Sequence, residues 1–165
     1  MGDLTGPISP LGGGALTGVQ TNSSAPAGAV GELITATVAS GSAVALTTTV
    51  GANVTSISLT AGDWDITSNM DFTFGATTSV TSMQGGISLT SATLASQAGG
   101  SGLGTDPSAA FATAAQVPTA LPSSLDIGPV RLSIAATTTV FMVAQCSFTV
   151  STLAAFGTIR ARRMR

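Results

Sequence analysis

Short runs of alternating apolar and polar residues fill the chain from Gly31 onward. One run places Ile57 and Leu59 between serines and a threonine, and another alternates Met70 and Phe72 with polar neighbours. A period of two puts the apolar side chains on one face of a β-strand and the polar ones on the other. Glycine-containing turns separate the runs. The pattern predicts an all-β protein, an antiparallel jelly-roll sandwich of about nine or ten strands.

Two glycine-containing stretches set the predicted boundaries inside this β region, residues 31–165. Gly85-Gly86 is predicted as a turn between two short strands. Residues 95–129 interrupt the alternation with a glycine-rich stretch and four prolines, and are predicted as a long loop. Asp106-Pro107 has the residue types of a helix start, which predicts a short helix over Phe111–Gln116 inside that loop. Strands are expected to resume at Val130.

Residues 1–30 differ from the rest by their glycine and proline content and by the absence of a period. Such a stretch cannot bury enough apolar area by itself to offset its ordering entropy. It is either a loose tail or an arm that becomes ordered on another subunit. In the second hypothesis its spaced aliphatic residues are the anchors that bind this partner: Leu4, Ile8, Leu11, Leu16 and Val19.

The chain has five basic residues, all arginines, and four of them lie in the last six positions. These four are Arg160, Arg162, Arg163 and Arg165. The planar guanidinium binds carboxylates in a bidentate manner, so we expect the four to contact a neighbouring subunit or another partner. The alternative interpretation is a frayed, solvated tail.

The composition excludes most catalytic chemistry. There is no histidine to serve as a base, and Cys146, the single cysteine, lies in an apolar run that predicts a buried thiol. Asp63 and Asp65 share a strand face and could hold a hard cation with help from Asp71 and Asp126, although a solvated turn is favoured. No cofactor, no metal and no enzymatic activity are expected.

The balance of charge also limits the partners. The formal net charge of −2 offers no basic field for nucleic acid. No unbroken apolar stretch of about 20 residues is present for a membrane span. Only 7% of the residues are charged, against about 25% in an average soluble protein. A surface with so little charge favours a protein that buries much of it in an assembly.

Four segments of the β region resemble a recurrent domain of tailed-bacteriophage structural proteins: Gly28–Glu32, Ile57–Ile66, Thr138–Ala144 and Phe156–Arg163. That domain ends many tail-fibre, head-fibre and capsid-decoration chains. It is similar to the trimeric jelly rolls of tumour necrosis factor and complement C1q. The resemblance covers about residues 28–165. It implies a homotrimer and a non-enzymatic virion protein, made in the host cytoplasm and carried on the virion.

Two places on the virion are compatible with this resemblance. The first is a capsid decoration (cement) or head-fibre protein on the outer capsid surface, attached to the major capsid protein through the arm. The second is a tail-fibre tip that binds a receptor or glycan on the host cell surface. Because only about thirty residues precede the domain, where fibre proteins carry a long shaft, we expect the first. An enzyme such as a depolymerase is the least expected class.

Overall fold

A computed structural model of the chain describes residues 24–94, 110–113 and 123–165. These residues contain nine β-strands and one 3-10 turn, Ser40–Ser42, which is far too short to cross a membrane. The strands are β1 Leu33–Val38, β2 Val44–Ala45, β3 Ala52–Leu59, β4 Gly62–Phe74, β5 Ser79–Ser88, β6 Ala110–Thr113, β7 Ser123–Ile134, β8 Thr138–Thr149 and β9 Leu153–Arg163. The expected anchors Leu4, Ile8, Leu11, Leu16 and Val19 lie outside the described residues.

The strands form two antiparallel sheets that pack as a sandwich. The first has the order β1-β9-β4-β7, with β2 pairing with β9 beyond the end of β1, and the second has the order β3-β8-β5-β6. Strand pairs β1·β9, β3·β8, β4·β7 and β5·β6 are nested like the arms of one long hairpin that has been rolled up. This nesting is the jelly-roll arrangement. The predicted fold class is confirmed.

The core lies between the two sheets and follows the alternation in the sequence. On β4, Trp64, Ile66, Met70 and Phe72 all point inward and are fully buried. Cys146 on β8 is buried as predicted, and this burial raises the pKa of its thiol to about 11. A thiol with so high a pKa carries almost no thiolate at neutral pH.

The prediction of a turn at Gly85-Gly86 is wrong. Strand β5 runs straight through both glycines and pairs with β8 along its length. A Cβ at Gly85 would lie 2.9 Å from the sulfur of Met70 on the opposite sheet. The glycine therefore leaves room for a large core side chain, which a one-dimensional pattern cannot distinguish from a turn signal.

The predicted loop over residues 95–129 is also too long. Strand β7 begins at Ser123, with Leu125 and Ile127 facing the core, instead of at Val130. The proline signal was misleading because Gly128-Pro129, a cis peptide, lies at a register shift within the strand pair β4·β7. Residues 110–113 form strand β6 against β5, which contradicts the helix predicted from Phe111.

Candidate functional site

The outer faces of the two sheets differ in charge. Strands β3, β5 and β8 of the four-stranded sheet contain no charged residue. The outward positions of β4, β7 and β9 in the five-stranded sheet contain seven: Asp63, Asp65, Asp71, Asp126, Arg131, Arg160 and Arg162. We call this surface the charged face. In a chain this poor in charge, it is the natural candidate for binding.

Arg163 does not belong to the charged face, because the period of two turns it inward after Ile159 and Ala161. Its side chain is only 5% exposed, and its Nε donates a hydrogen bond to Glu32 Oε2 at 2.9 Å. Its remaining donors reach Ala61 O, at 2.8 Å, and the Thr60 hydroxyl. The guanidinium also stacks 4.2 Å from the centre of the Trp64 ring. The expectation that Arg163 contacts a partner is corrected, since its own chain satisfies it.

We call this group (Glu32, Thr60, Ala61, Trp64 and Arg163) the clasp, because it ties the N-terminal segment to the last strand. The amide of Arg163 donates to Glu32 O and the amide of Gly31 to Arg163 O, both at 2.9 Å. Glu32 Oε2 also accepts the Gly28 amide at 2.8 Å. The hydrogen bond from Gly28 and the adjacent Arg163 guanidinium hold the pKa of Glu32 below its ordinary value.

The clasp moves the domain boundary toward the N-terminus. The amide of Leu33 donates to Ser24 Oγ at 2.9 Å, so the chain is already attached to the fold from Ser24. Residues on the N-terminal side of the predicted boundary at residues 30 and 31 thus contact the fold, and Gly31 and Glu32 pair through their backbones with Arg163, far away in the sequence.

Asp63 lies under two arginines and is nearly buried. Arg131 donates to both of its carboxylate oxygens, through Nε at 3.0 Å and through Nη2, and Arg165 Nε lies 2.8 Å from Oδ2. The bidentate hydrogen bond from Arg131 is the main cause that lowers the pKa of Asp63. The two guanidinium groups occupy the carboxylate oxygens of Asp63 that a cation would need. Among the described residues, no group of three or more acidic, histidine or cysteine side chains is placed to hold a metal ion.

The other charges of this face make no ion pair within the part of the chain that the structure describes. Arg160 and Arg162 are exposed on β9, and their contact with a partner stays a prediction. Asp65 lies opposite Arg162 in register, whereas Asp71 accepts a hydrogen bond from the Ser124 hydroxyl. Arg165, expected to contact a partner, pairs with Asp63 of its own chain, and 74% of its side chain remains exposed.

A groove of about 250 Å³ opens on the charged face where β7 departs from regular pairing. It is lined by Thr67, Ser68, Asn69, Asp126, Ile127, Gly128, Thr158 and Arg160. Gly128 allows β7 to approach β4 closely beside the groove, since at φ +109° its Cβ would lie 2.6 Å from Ile66 O. On one flank, Asn69 Nδ2 donates to Asp126 Oδ1 at 2.6 Å, and on the other stands Arg160.

The sequence carried one signal for the clasp that the prediction missed. Continuing the alternation of Ile159 and Ala161 by one step places Arg163 inside, which already separates it from Arg160 and Arg162. The identity of its partner, Glu32, had no such signal, since the two residues are 131 positions apart. The groove had none either, because it depends on a bulge between two distant strands.

No family model, no curated protein and no solved structure matches this chain. The function is therefore inferred from the geometry of the charged face and from the sequence motifs.

Proposed function

We propose that this chain is a non-enzymatic structural protein of a tailed-bacteriophage virion. In this proposal it is a homotrimeric jelly roll that decorates the outer capsid surface, as a cement or head-fibre protein, and attaches through its N-terminal arm. The virion setting comes from the motif resemblance. The assembly is supported by one observation of the structure, the unpaired charges of both signs on the charged face.

Unpaired charges on one sheet face are best explained by a second copy of the chain. The protein has only five basic and seven acidic residues, so its charges are few and their concentration on one face is informative. Arg162 lies toward one end of this face and Asp71 toward the other, with Arg160 and Asp126 between them. A face with both signs can complement itself, which steers association and sets its register. Threonines and Phe156 fill the space between the charges and supply burial area.

The clasp supports the proposed direction of attachment. It holds Gly31 and Glu32 at the end of the sheet where β9 finishes, and Ser24, from which the proposed arm would extend, is bound to Leu33 beside it. Fully extended, residues 1–23 would reach about 75 Å at about 3.3 Å per residue. That length is enough to cross a neighbouring capsid subunit, with aliphatic side chains in grooves and backbone pairing along a sheet edge. Three arms on one trimer would add their contacts through multivalency.

The first experiment tests assembly and attachment separately. Native mass spectrometry of the full chain at micromolar concentration should show a trimer, and a stable monomer would overturn the proposal. Deletion of residues 1–23, which keeps Ser24 and the clasp, should leave the trimer intact and abolish its binding to undecorated capsids. Normal occupancy by the truncated trimer would instead assign attachment to the jelly roll.

A tail-fibre tip remains the second candidate, favoured by the end of the sandwich opposite the clasp. Val50 and Val150, which are 52% and 71% exposed, lie in loops at that end. Exposed apolar loops far from the anchor are suited to a receptor. Copy number on the particle separates the two functions: hundreds of copies indicate decoration, and at most a few dozen indicate a fibre.

A further inference from the structure

We infer that the groove receives Arg160 of the neighbouring subunit, which binds Asp126 there and sets the register of the trimer. This inference rests on the proposed homotrimer and adds to it a specific pair of residues. It follows from three features of the charged face: which charges lack a partner, what the groove can accept, and where its two charges stand.

When each arginine is matched with a carboxylate of its own subunit, Arg160 is the one that has none. Four arginines have a carboxylate as a contact or as the directly opposite residue in the sheet: Arg131 and Arg165 (Asp63), Arg163 (Glu32) and Arg162 (Asp65). Arg160 lies opposite Thr35 on one side and Thr67 on the other. It is therefore the one arginine without a carboxylate in either position.

Among the carboxylates of the charged face, Asp71 and Asp126 have no arginine as a contact or as the directly opposite residue. Asp71 lies opposite Ser124 and Phe156, and Asp126 lies opposite Asn69. Of these two carboxylates, Asp126 lines the groove and Asp71 does not. Arg160 and Asp126 therefore stand on opposite flanks of the groove, and neither makes an ion pair with a described residue of its own subunit.

The groove offers an acceptor that matches a guanidinium group. Asn69 occupies Asp126 Oδ1 at 2.6 Å, which leaves Oδ2 available. A guanidinium has five N–H donors in a planar fork, so it matches the free oxygen of a carboxylate whose other oxygen is already occupied.

The positions of Arg160 and Asp126 are compatible with a ring of three subunits. Arg160 stands on β9 and Asp126 on β7, on either side of β4. Each subunit can therefore give an arginine to one neighbour and accept an arginine from the other. Such a contact closes into a ring of three when the rotation between the subunits permits it.

A charge-swap experiment tests the pair. The variants are Arg160→Asp, Asp126→Arg and the double variant that carries both changes, and the measurement is the trimer dissociation constant by sedimentation equilibrium. Each single variant should weaken the trimer by about tenfold or more, equivalent to about 1.4 kcal/mol. The double variant should return to within about threefold of the wild type, because the opposite charges again face each other.

The chain offers a matched control on the same face. The double variant Arg160→Asp with Asp71→Arg has the same net charge as the true swap but restores no pair in the groove, so it should stay as weak as Arg160→Asp alone. Equal rescue by both double variants would show that only overall charge matters and would overturn the inference. The neutral variants Arg160→Gln and Asp126→Asn give the same test, with smaller weakening, should a charge reversal fail to fold.

The remaining outcomes separate this inference from the proposed function. A wild-type monomer would overturn both. A wild-type trimer that is unchanged in the single variants, or not rescued by the swap, overturns the pair and leaves the trimer standing. Mixing the two single variants in equal amounts adds a geometric check. A two-fold pair would recover completely, whereas a ring of three must keep one mismatched contact and recover only in part.

Discussion

Arg160 and Arg163 are three residues apart on the same strand and have opposite environments. Arg163 faces the core, where Glu32, Thr60, Ala61 and Trp64 satisfy it. Arg160 faces outward beside an open groove and makes no ion pair with the described residues. The difference follows from strand geometry, since an odd spacing reverses the face. The same side chain therefore stabilises the subunit in one position and is available to a partner in the other.

Residues of one type that lie close together in the sequence need not form one site. The four terminal arginines divide into three roles: Arg163 in the clasp, Arg165 on Asp63, and Arg160 with Arg162 exposed on the charged face. A buried guanidinium needs every donor satisfied, because an unpaired buried charge is costly. An exposed guanidinium keeps its hydration until a partner replaces it.

The clasp is expected to give the largest effect. Arg163→Met leaves the Glu32 carboxylate buried without its partner, which should lower the free energy of unfolding by about 3–5 kcal/mol. Urea unfolding at one fixed protein concentration measures it. The control is Arg162→Met, the same change at an exposed position outside the groove, which should cost clearly less because it leaves no buried charge without a partner. Equal losses in the two variants would contradict the distinction between the buried and the exposed arginine.

Removing both charged groups of the clasp should cost less than removing one. In the double variant Arg163→Met with Glu32→Leu, no unpaired charge remains in the core. We expect it to be about 2 kcal/mol more stable than Arg163→Met alone, because apolar groups can replace a buried ion pair. The same urea experiment decides this. A double variant as unstable as the single one would assign the loss to the hydrogen bonds with Thr60, Ala61 and Gly28.

Acid pH should destabilise the clasp, whereas changes of pH around neutrality should leave the stability unchanged. The pKa values of Glu32 and Asp63 are lowered from 4.5 and 3.8 in the folded protein. Folding is therefore fully favoured above those ordinary values and loses stability as the pH falls through and below them. With no histidine, stability should be flat between about pH 6 and pH 8. Thermal melts of the wild type and Glu32→Gln test this, and the variant should show a shallower acid decline.

Salt should have the smallest effect of these tests, and it should act on the contacts of the charged face but not on the clasp. At about 1 M salt the Debye length is about 3 Å, so exposed charges are screened while buried pairs are much less so. The trimer dissociation constant should rise severalfold, whereas the loss caused by Arg163→Met should stay the same. Sedimentation equilibrium and urea unfolding at low and high salt measure the two quantities. A trimer insensitive to salt would weaken the role of the Arg160–Asp126 pair.

The sequence predicted the regular parts of the fold and missed its irregular ones. Alternation placed Trp64, Phe72 and Cys146 in the core because burial follows strand period directly. It failed at Gly85-Gly86 and at Gly128-Pro129, where residues typical of turns lie inside strands. In both cases the reason is contact with another strand, with Met70 in the first case and with the bulged pair β4·β7 in the second.

The amino-acid sequence by itself determined the all-β class, the face of each strand that is buried, and the scarcity of charge. All three are local or compositional properties, and a period of two converts them directly into inside and outside. The tertiary structure alone decided which charges meet. Glu32 pairs with Arg163, Asp63 pairs with Arg131, and Arg160 lies beside a groove. These positions arise because the jelly roll places β1 and β4 on either side of β9, and β7 next to β4. Those pairings depend on strand order and register, which no single strand encodes.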